Sequence, residues 1–277
     1  MHGGYDRGTQ QGNLADLWAA SLADNNTPSW QRLSPEGSAP SARAGHTLTA
    51  VSADELILFG GFGQQGLDDV HVLRVGPDGE SSWRELTVRG DHSPGPRCAH
   101  AAVSVPCSEG RTRLISFGGY TTSHGADAAL SLLTISECGT ACSWEQLHAA
   151  APDDDGRPPL PLQRSGHSAA LASGERLLVF GGTCDDVRSG ATHVLGDALC
   201  LDVDEEGLER LRHPEGGARW RRLAMDADDE EDLPRYNHAA ALARHGDEEM
   251  LLVVGGSDES HSIVETAFAL VVPPADV

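Results

Sequence analysis

The stretch "ELILFGGFGQQGLDDVHVL", Glu55 to Leu73, decides how this chain folds. An apolar run ends in two glycines, a polar turn follows, and an alternating run begins. Alone it is a β-hairpin and little else. It is not alone. Gly60-Gly61 has counterparts at Gly3-Gly4, Gly118-Gly119, Gly181-Gly182 and Gly255-Gly256, four of the five preceded by an apolar run: "ELILFGG", "RLISFGG", "RLLVFGG" and "EMLLVVGG". Internal repeats decide a fold before any local propensity does.

Two further marks travel with the glycines. Upstream of each complete copy stand "RAGHTLTAV" (Arg43, His46), "RCAHAAVSV" (Arg97, His100), "RSGHSAALA" (Arg164, His167) and "RYNHAAALA" (Arg235, His238), the histidine preceding the second glycine by 15, 19, 15 and 18 residues. Tryptophan marks a short apolar end in "SWQRL" (Trp30), "SWREL" (Trp83), "SWEQL" (Trp144) and "RWRRL" (Trp220). Each unit reads as four short strands, a to d: the small-residue run after the histidine, the run into Gly-Gly, an alternating run such as "DDVHVLRV", and the tryptophan strand. No sustained helical period is visible. The glycine pairs recur every 57 to 74 residues. Four strands at that period define propeller blades, which cannot bury both faces alone and must stack sideways.

The glycines fit that stacking, because a Cβ near the axis would meet a neighbouring backbone. The tryptophan would fill the gap between blades. The repeated arginine either stacks on an aromatic ring or bonds backbone carbonyls at the junction.

The repeated marks resemble those of the kelch-repeat β-propellers, in the galactose oxidase and kelch-like superfamily, over about residues 2–272. The second unit, Arg43 to Leu86, is most similar to the kelch domain of Zeitlupe-type LOV/F-box/kelch proteins. Strand c lacks the family's tyrosine: Val70 or His71 stands there. The fourth unit carries a long insertion, "DEEGLERLRHPEGGAR". The expectation is an all-β chain of four-stranded antiparallel blades forming one domain over 1–277. Its units are 1–34 (partial), 43–86, 97–147, 164–223 and 235–272 (partial).

The N-terminal unit is expected to supply only strands c and d, and the last unit a, b and c. That count favours a segment of a six- or seven-bladed ring, or an incomplete gene model, over a closed four-bladed ring. An unclosed arc exposes sheet edges and a bare blade face, which invites self-association.

The 277 residues carry a net charge of −22, with 20 arginines and no lysine. That balance argues against nucleic acid or an anionic membrane as partner and would suit a basic one. It also serves solubility alone. The six cysteines form no C-x-x-C pair. No secretory signal and no run near the about 18 residues of a membrane helix is visible. An intracellular protein, cytoplasmic or nuclear, is the expectation.

In an up-and-down blade the b–c loops and the inter-blade loops share one face. Loops carry recognition, and in the family that face takes partner peptides. Candidate partner-binding residues there are Phe62, Gln64, Gln65, Tyr120, His124, Asp185, Arg188 and Asp258. Phe62 is either an exposed anchor or tucked against the next blade. The acidic loops "PDDDGRPP" and "DADDEED" would recruit a basic partner or simply remain solvated. His46, His100, His167 and His238 lie around a ring rather than at one point, which fits a shared structural role better than a metal site. No catalytic, cofactor or metal residues are assigned. The functional expectation is a protein- or peptide-binding module, extending to substrate recognition for an SCF-type ubiquitin ligase. The alternatives are a kelch-type enzyme or metal-dependent specifier, or a cytoskeletal or chromatin scaffold.

Overall fold

The computed structural model describes residues 1–6, 8, 12–22, 28–77, 79–152, 162–185, 190–224 and 233–273. Five antiparallel sheets follow one another along the chain. The first holds β1 (His2–Asp6), β2 (Gly12–Leu22) and β3 (Pro28–Leu33). After the short β4 (Glu36–Gly37) comes the second, with β5 (Thr47–Ala50), β6 (Glu55–Phe62), β7 (Gly66–Val75) and β8 (Ser81–Glu85). Past β9 (Thr87–Arg89), the third holds β10 (Ala101–Val105), β11 (Arg113–Phe117), β14 (Leu130–Ile135) and β15 (Ala141–Leu147). A small hairpin, β12 (Tyr120–Thr121) and β13 (Gly125–Ala126), interrupts it. The fourth holds β16 (Ser168–Ala172), β17 (Arg176–Asp185), β18 (Thr192–Asp202) and β19 (Arg221–Arg222). The fifth holds β20 (Ala239–His245), β21 (Glu248–Val254) and β22 (Ala267–Val272). Each sheet is one blade of a kelch-type β-propeller.

The second strand of each inner blade carries an apolar run into the diglycine because both its faces are covered there. On β6, Leu58 packs with Leu17 of the first blade, while Ile57 and Phe59 pack with Leu114 and Leu133 of the third. A strand buried on both faces loses its polar alternation.

The junction between blades centres on the diglycine. The second glycine of the first four pairs donates its N–H to the carbonyl of the arginine that opens the next blade: Gly4 to Arg43 (2.9 Å), Gly61 to Arg97 (2.8 Å), Gly119 to Arg164 (2.8 Å) and Gly182 to Arg235 (2.9 Å). The first glycine lies beneath that same carbonyl. A Cβ on Gly60 would sit 2.8 Å from the Arg97 oxygen, at a φ of +64°. Both the clash and the dihedral exclude a side chain.

Tryptophan then seals each junction from the following blade. Its ring meets the residue just before the preceding diglycine: Trp83 on His2 (5.4 Å), Trp144 on Phe59 (4.7 Å) and Trp220 on Phe117 (4.9 Å). Burying such a ring removes about 150–250 Å², worth at most about 4–6 kcal/mol. Trp30 departs from the expected filler role: it is 55% exposed.

Three other expectations are corrected. The first blade has three strands, since the residues around Gly3-Gly4 form β1 as the end of a second strand. The inter-blade connections are partly strands themselves: β4 pairs in parallel with β8, and β9 with β15, adding a fifth strand to the outer edge of the next blade. The insertion in the fourth blade forms a helix, α1 (Glu205–Leu211). Asp204 caps it by accepting from the Gly207 N–H, and Leu208 and Leu211 enter the core beside Trp220. Seven residues are too short to register as a helical period. No strand of the first sheet pairs with one of the fifth among the described residues.

Candidate functional site: the loop face

The floor of the b–c loop face is built from buried arginines. Arg43, Arg97, Arg164 and Arg235 are at most 1% exposed. Each donates to the carbonyl of the first glycine in its own blade: Gly60 (3.0 Å), Gly118 (2.6 Å), Gly181 (3.1 Å) and Gly255 (3.2 Å). Three also pair with an aspartate in or just before the third strand: Arg43 with Asp69 (2.6 Å), Arg97 with Asp127 (3.2 Å) and Arg164 with Asp197 (3.0 Å). Arg235 has Thr266 in that place and lies 4.7 Å over the Phe268 ring. Both expected arginine roles therefore occur, in different blades. Burial alone would raise the Asp69 carboxyl, but hydrogen bonds from Arg43 and His71 outweigh it and hold it well below the usual carboxylate range. His71, at the variant third-strand position, is buried and reaches Asp69 (2.9 Å) and the Ser38 carbonyl (3.2 Å).

The repeated histidines point into the junctions. His100 Nε2 meets Thr47 Oγ1 of the preceding blade at 3.1 Å, and His238 Nε2 meets Ser168 Oγ at 2.8 Å. Burial pushes both down, His100 to about 3 and His238 to about 4, with the neighbouring arginines adding to the effect. His46 and His2 fall to about 4 for the same first reason. No group of three or more His, Cys, Asp or Glu among the described residues could hold a metal ion.

Above this floor, the residue after each diglycine is fixed by its backbone and free in its side chain. Phe62 exchanges hydrogen bonds with Ala44, Tyr120 with Cys98, Thr183 with Ser165 and Ser257 with Tyr236. In the first three blades this residue is aromatic and exposed: Tyr5 63%, Phe62 41% and Tyr120 46%. Phe62 is thus the exposed alternative rather than the tucked one. Gln64 and Gln65 lie exposed in the same turn. Tyr5 was readable from "MHGGY" beside "FGGF" and "FGGY", yet a lone tyrosine near the N-terminus carries little weight until the register is known.

The structure brings Tyr120 and Asp185 together at Gly125. The Asp185 carboxylate accepts from the Ala126 N–H (3.2 Å) and from the Thr192 hydroxyl (3.0 Å), tying the third and fourth blades. His124 is exposed, its Nδ1 2.7 Å from Ser123 Oγ, beside an open cleft of about 530 Å³ that also takes in His92, Pro94, Asp127 and Gln146. Asp258 lies apart, bound to its own turn through Ser260 and Ser262. Arg188 lies outside the described residues, as do the acidic loop 226–232 and most of 152–159. Exposed carboxylates in and beside the described connections are Glu36, Asp68, Asp91, Asp185, Glu259 and Glu265, against two exposed arginines, Arg32 and Arg89.

Stacked blades that each carry the Gly-Gly pair, with aromatics exposed on one loop face, define a repeat-built β-propeller. The chain belongs to the kelch-repeat family: the KLHDC2/KLHL20/DRC7 Kelch-repeats domain model matches residues 1–107 and 79–270. Adagio-like protein 3 of Oryza sativa subsp. japonica is 33% identical over 205 residues, covering 69% of this chain and 29% of that protein. An F-box/kelch-repeat protein of Arabidopsis thaliana is 27% identical over 264 residues, covering 92% of this chain and 48% of that one. The chain therefore spans less than half the length of either. The Adagio matches are consistent with the Zeitlupe-type resemblance of the second unit. Among solved structures, a chain of a RAG complex with one melted and one unmelted RSS shares the fold, with a TM-score of 0.54 at 15% identity over 83% of this chain and 67% of that one. No helix among the described residues is long and apolar enough to cross a membrane.

Proposed function

We propose that this chain is the partner-recognition propeller of an intracellular F-box-type adaptor, holding a protein or peptide on its b–c loop face. The observation that carries the reading is the row of exposed aromatics, Tyr5, Phe62 and Tyr120, at one backbone position of three consecutive blades. Exposed aromatic side chains on fixed backbone make efficient anchors, since little conformational freedom is lost on binding. The F-box and Adagio relatives support the adaptor setting, in which a captured protein becomes the substrate of a ubiquitin ligase. The chain itself offers no lysine as an acceptor.

A photo-crosslinking residue placed at Phe62, and separately at Glu175 in a turn at the other end of the fourth blade, tests this in cells. Partner adducts should form from position 62 and not from 175. Adducts formed equally from both positions would sink the assignment of the face. If the adaptor reading holds, the crosslinked partner loses ubiquitylation when Phe62 and Tyr120 are both replaced by serine.

Self-association is a second property with its own observation. The far face of the fifth blade exposes Ala239, Ala241, Leu252, Val254, Ala267, Ala269 and Val271, and the first blade exposes Trp30. Apolar faces of this kind favour association. Sedimentation should show concentration-dependent oligomers that Val254→Glu weakens, and a strict monomer at all concentrations would remove the proposal.

A further inference from the structure

We infer that the loop face takes a cationic, extended segment of its partner, seating an arginine or lysine side chain between the Tyr120 ring and the Asp185 carboxylate. This rests on the reading of the loop face as the recognition surface and specifies what it recognises.

The seat lies over Gly125, where the backbone is bare. The point at which a Cβ would stand is 2.9 Å from Asp185 Oδ2 and 4.0 Å from Tyr120 Cε2, so a carboxylate and a ring edge converge there. Gly125 has a φ of +73°, which keeps the position open. Asp185 is held in place by one hydrogen bond to each oxygen, from Ala126 and Thr192. A carboxylate has about four lone-pair sites, so acceptor capacity remains on both oxygens. No described arginine pairs with it, and Arg43, Arg97, Arg164 and Arg235 are buried in the floor below. A carboxylate beside an aromatic ring suits a guanidinium or ammonium group, which gains an ion pair and about 0.5–2 kcal/mol from the ring.

The surroundings extend the same chemistry. Tyr5 and Phe62 repeat the aromatic position on the two preceding blades, so a segment crossing all three must be extended. The six exposed carboxylates of these connections against two arginines repel an acidic partner and draw a basic one. A neutral apolar segment would use the aromatics and leave that charge bias without a role.

The probe is a synthetic glycine–serine peptide with arginine at every third position, with matched peptides carrying glutamine or glutamate instead, each titrated against the whole chain by fluorescence anisotropy. The arginine peptide should bind about tenfold or more tightly than the glutamine peptide, with loss at high salt, and the glutamate peptide should not bind. Asp185→Asn should weaken the arginine peptide about fivefold and leave the glutamine peptide unchanged. The triple variant Tyr5→Ser, Phe62→Ser, Tyr120→Ser keeps the net charge and should cost about tenfold. Thermal melting of both variants shows that the fold persists. Three results overturn the inference: no binding of the arginine peptide, equal binding of the glutamine peptide, or undiminished binding by both variants, which would mark a generic charge effect. Aromatic-dependent binding of the glutamine peptide would refute the cationic seat and leave the loop face as the recognition surface. Crosslinks at Glu175 matching those at Phe62 would refute both.

Discussion

Replacing Ala101 with serine should stabilise the protein, because one junction lacks a hydrogen bond that its two sister junctions make. The residue after the repeated histidine is Thr47, Ala101, Ser168 or Ala239 in successive blades. Thr47 receives His100 at 3.1 Å and Ser168 receives His238 at 2.8 Å. His167 faces Ala101 and finds no hydroxyl. Its two ring nitrogens lack a hydrogen-bond partner although the side chain is only 7% exposed. A buried polar group without a partner costs about 1–3 kcal/mol, and a typical buried hydrogen bond returns about 0.5–1.5 kcal/mol. Ala101→Ser adds one oxygen at a position where Ser168 already fits in the sister junction. The expected gain is about 1 kcal/mol, read as a rise in urea midpoint at constant slope, or about 2–4 °C in melting temperature. Thr47→Ala and Ser168→Ala should lose a similar amount. In a His167→Ala background the gain from Ala101→Ser should vanish, which isolates the pair from any change in strand propensity. If Ala101→Ser is neutral while Thr47→Ala is costly, the junctions are not equivalent and the reasoning fails.

Three further predictions follow from the same junctions. Gly60→Ala and Gly255→Ala impose nearly equal dihedral strain, at φ +64° and +69°, but a Cβ at 60 meets the Arg97 oxygen at 2.8 Å whereas one at 255 meets only the Val264 oxygen at 3.7 Å; urea unfolding should show Gly60→Ala as the costlier by about 2 kcal/mol or more, and equal costs would mean that the dihedral alone matters. Asp69→Asn leaves the buried Arg43 without its anionic partner and should cost about 3–5 kcal/mol, while Asp185→Asn, at an exposed carboxylate, should change the same midpoint by less than about 0.5 kcal/mol. Acid should destabilise the protein well above the carboxylate range. His2, His46 and His238 titrate at about 4 and His100 at about 3 when folded, against 6.5 when unfolded, so the unfolded chain takes up protons that the folded one refuses. Stability is complete above about 6.5 and falls as pH drops from there towards 4. At about 1.4 kcal/mol per tenfold change in proton affinity, two such histidines consume much of an ordinary ~5–15 kcal/mol. A urea midpoint that stays flat between pH 7 and 5 contradicts this.

Much of the fold was legible because the chain repeats it. Gly-Gly, Arg-x-x-His and Trp recur in order, and a four-strand unit at that period leaves few architectures open. What stayed hidden was whatever depends on a neighbour. "SWQRL" and "SWREL" look alike, yet Trp83 is buried and Trp30 is not, since burial there comes from the blade in front. The aspartates Asp69, Asp127 and Asp197 carried no reading of their own in the sequence, and only the fold sets them against the buried arginines. The helix Glu205–Leu211 is too short to show a period and is fixed by its cap and by two leucines entering another blade's core. At the recognition face, Phe62 and Tyr120 were visible as aromatics in polar turns. Tyr5 gained meaning only from register, and Asp185 only from the fold that sets it beside Tyr120.

The division of labour within each repeat follows from where its backbone is held. The diglycine, the arginine and the residue after the diglycine are consecutive parts of one hydrogen-bonded junction. Changing the first two breaks contacts between blades, so their chemistry is uniform in every copy. The third is held only through its N–H and C=O, and its side chain leaves the junction, so it is free to differ: tyrosine, phenylalanine, tyrosine, threonine, serine. Aromatic character is confined to the first three blades, next to the seat over Gly125. A partner held by that row and by Asp185 should therefore contact the first three blades and the Asp185 edge of the fourth, and leave the fifth uncovered. Hydrogen-exchange protection on partner binding should fall on residues 62–66 and 118–129 and spare 255–266; protection spread evenly over all five blades would mean that the variable position does not set the binding surface.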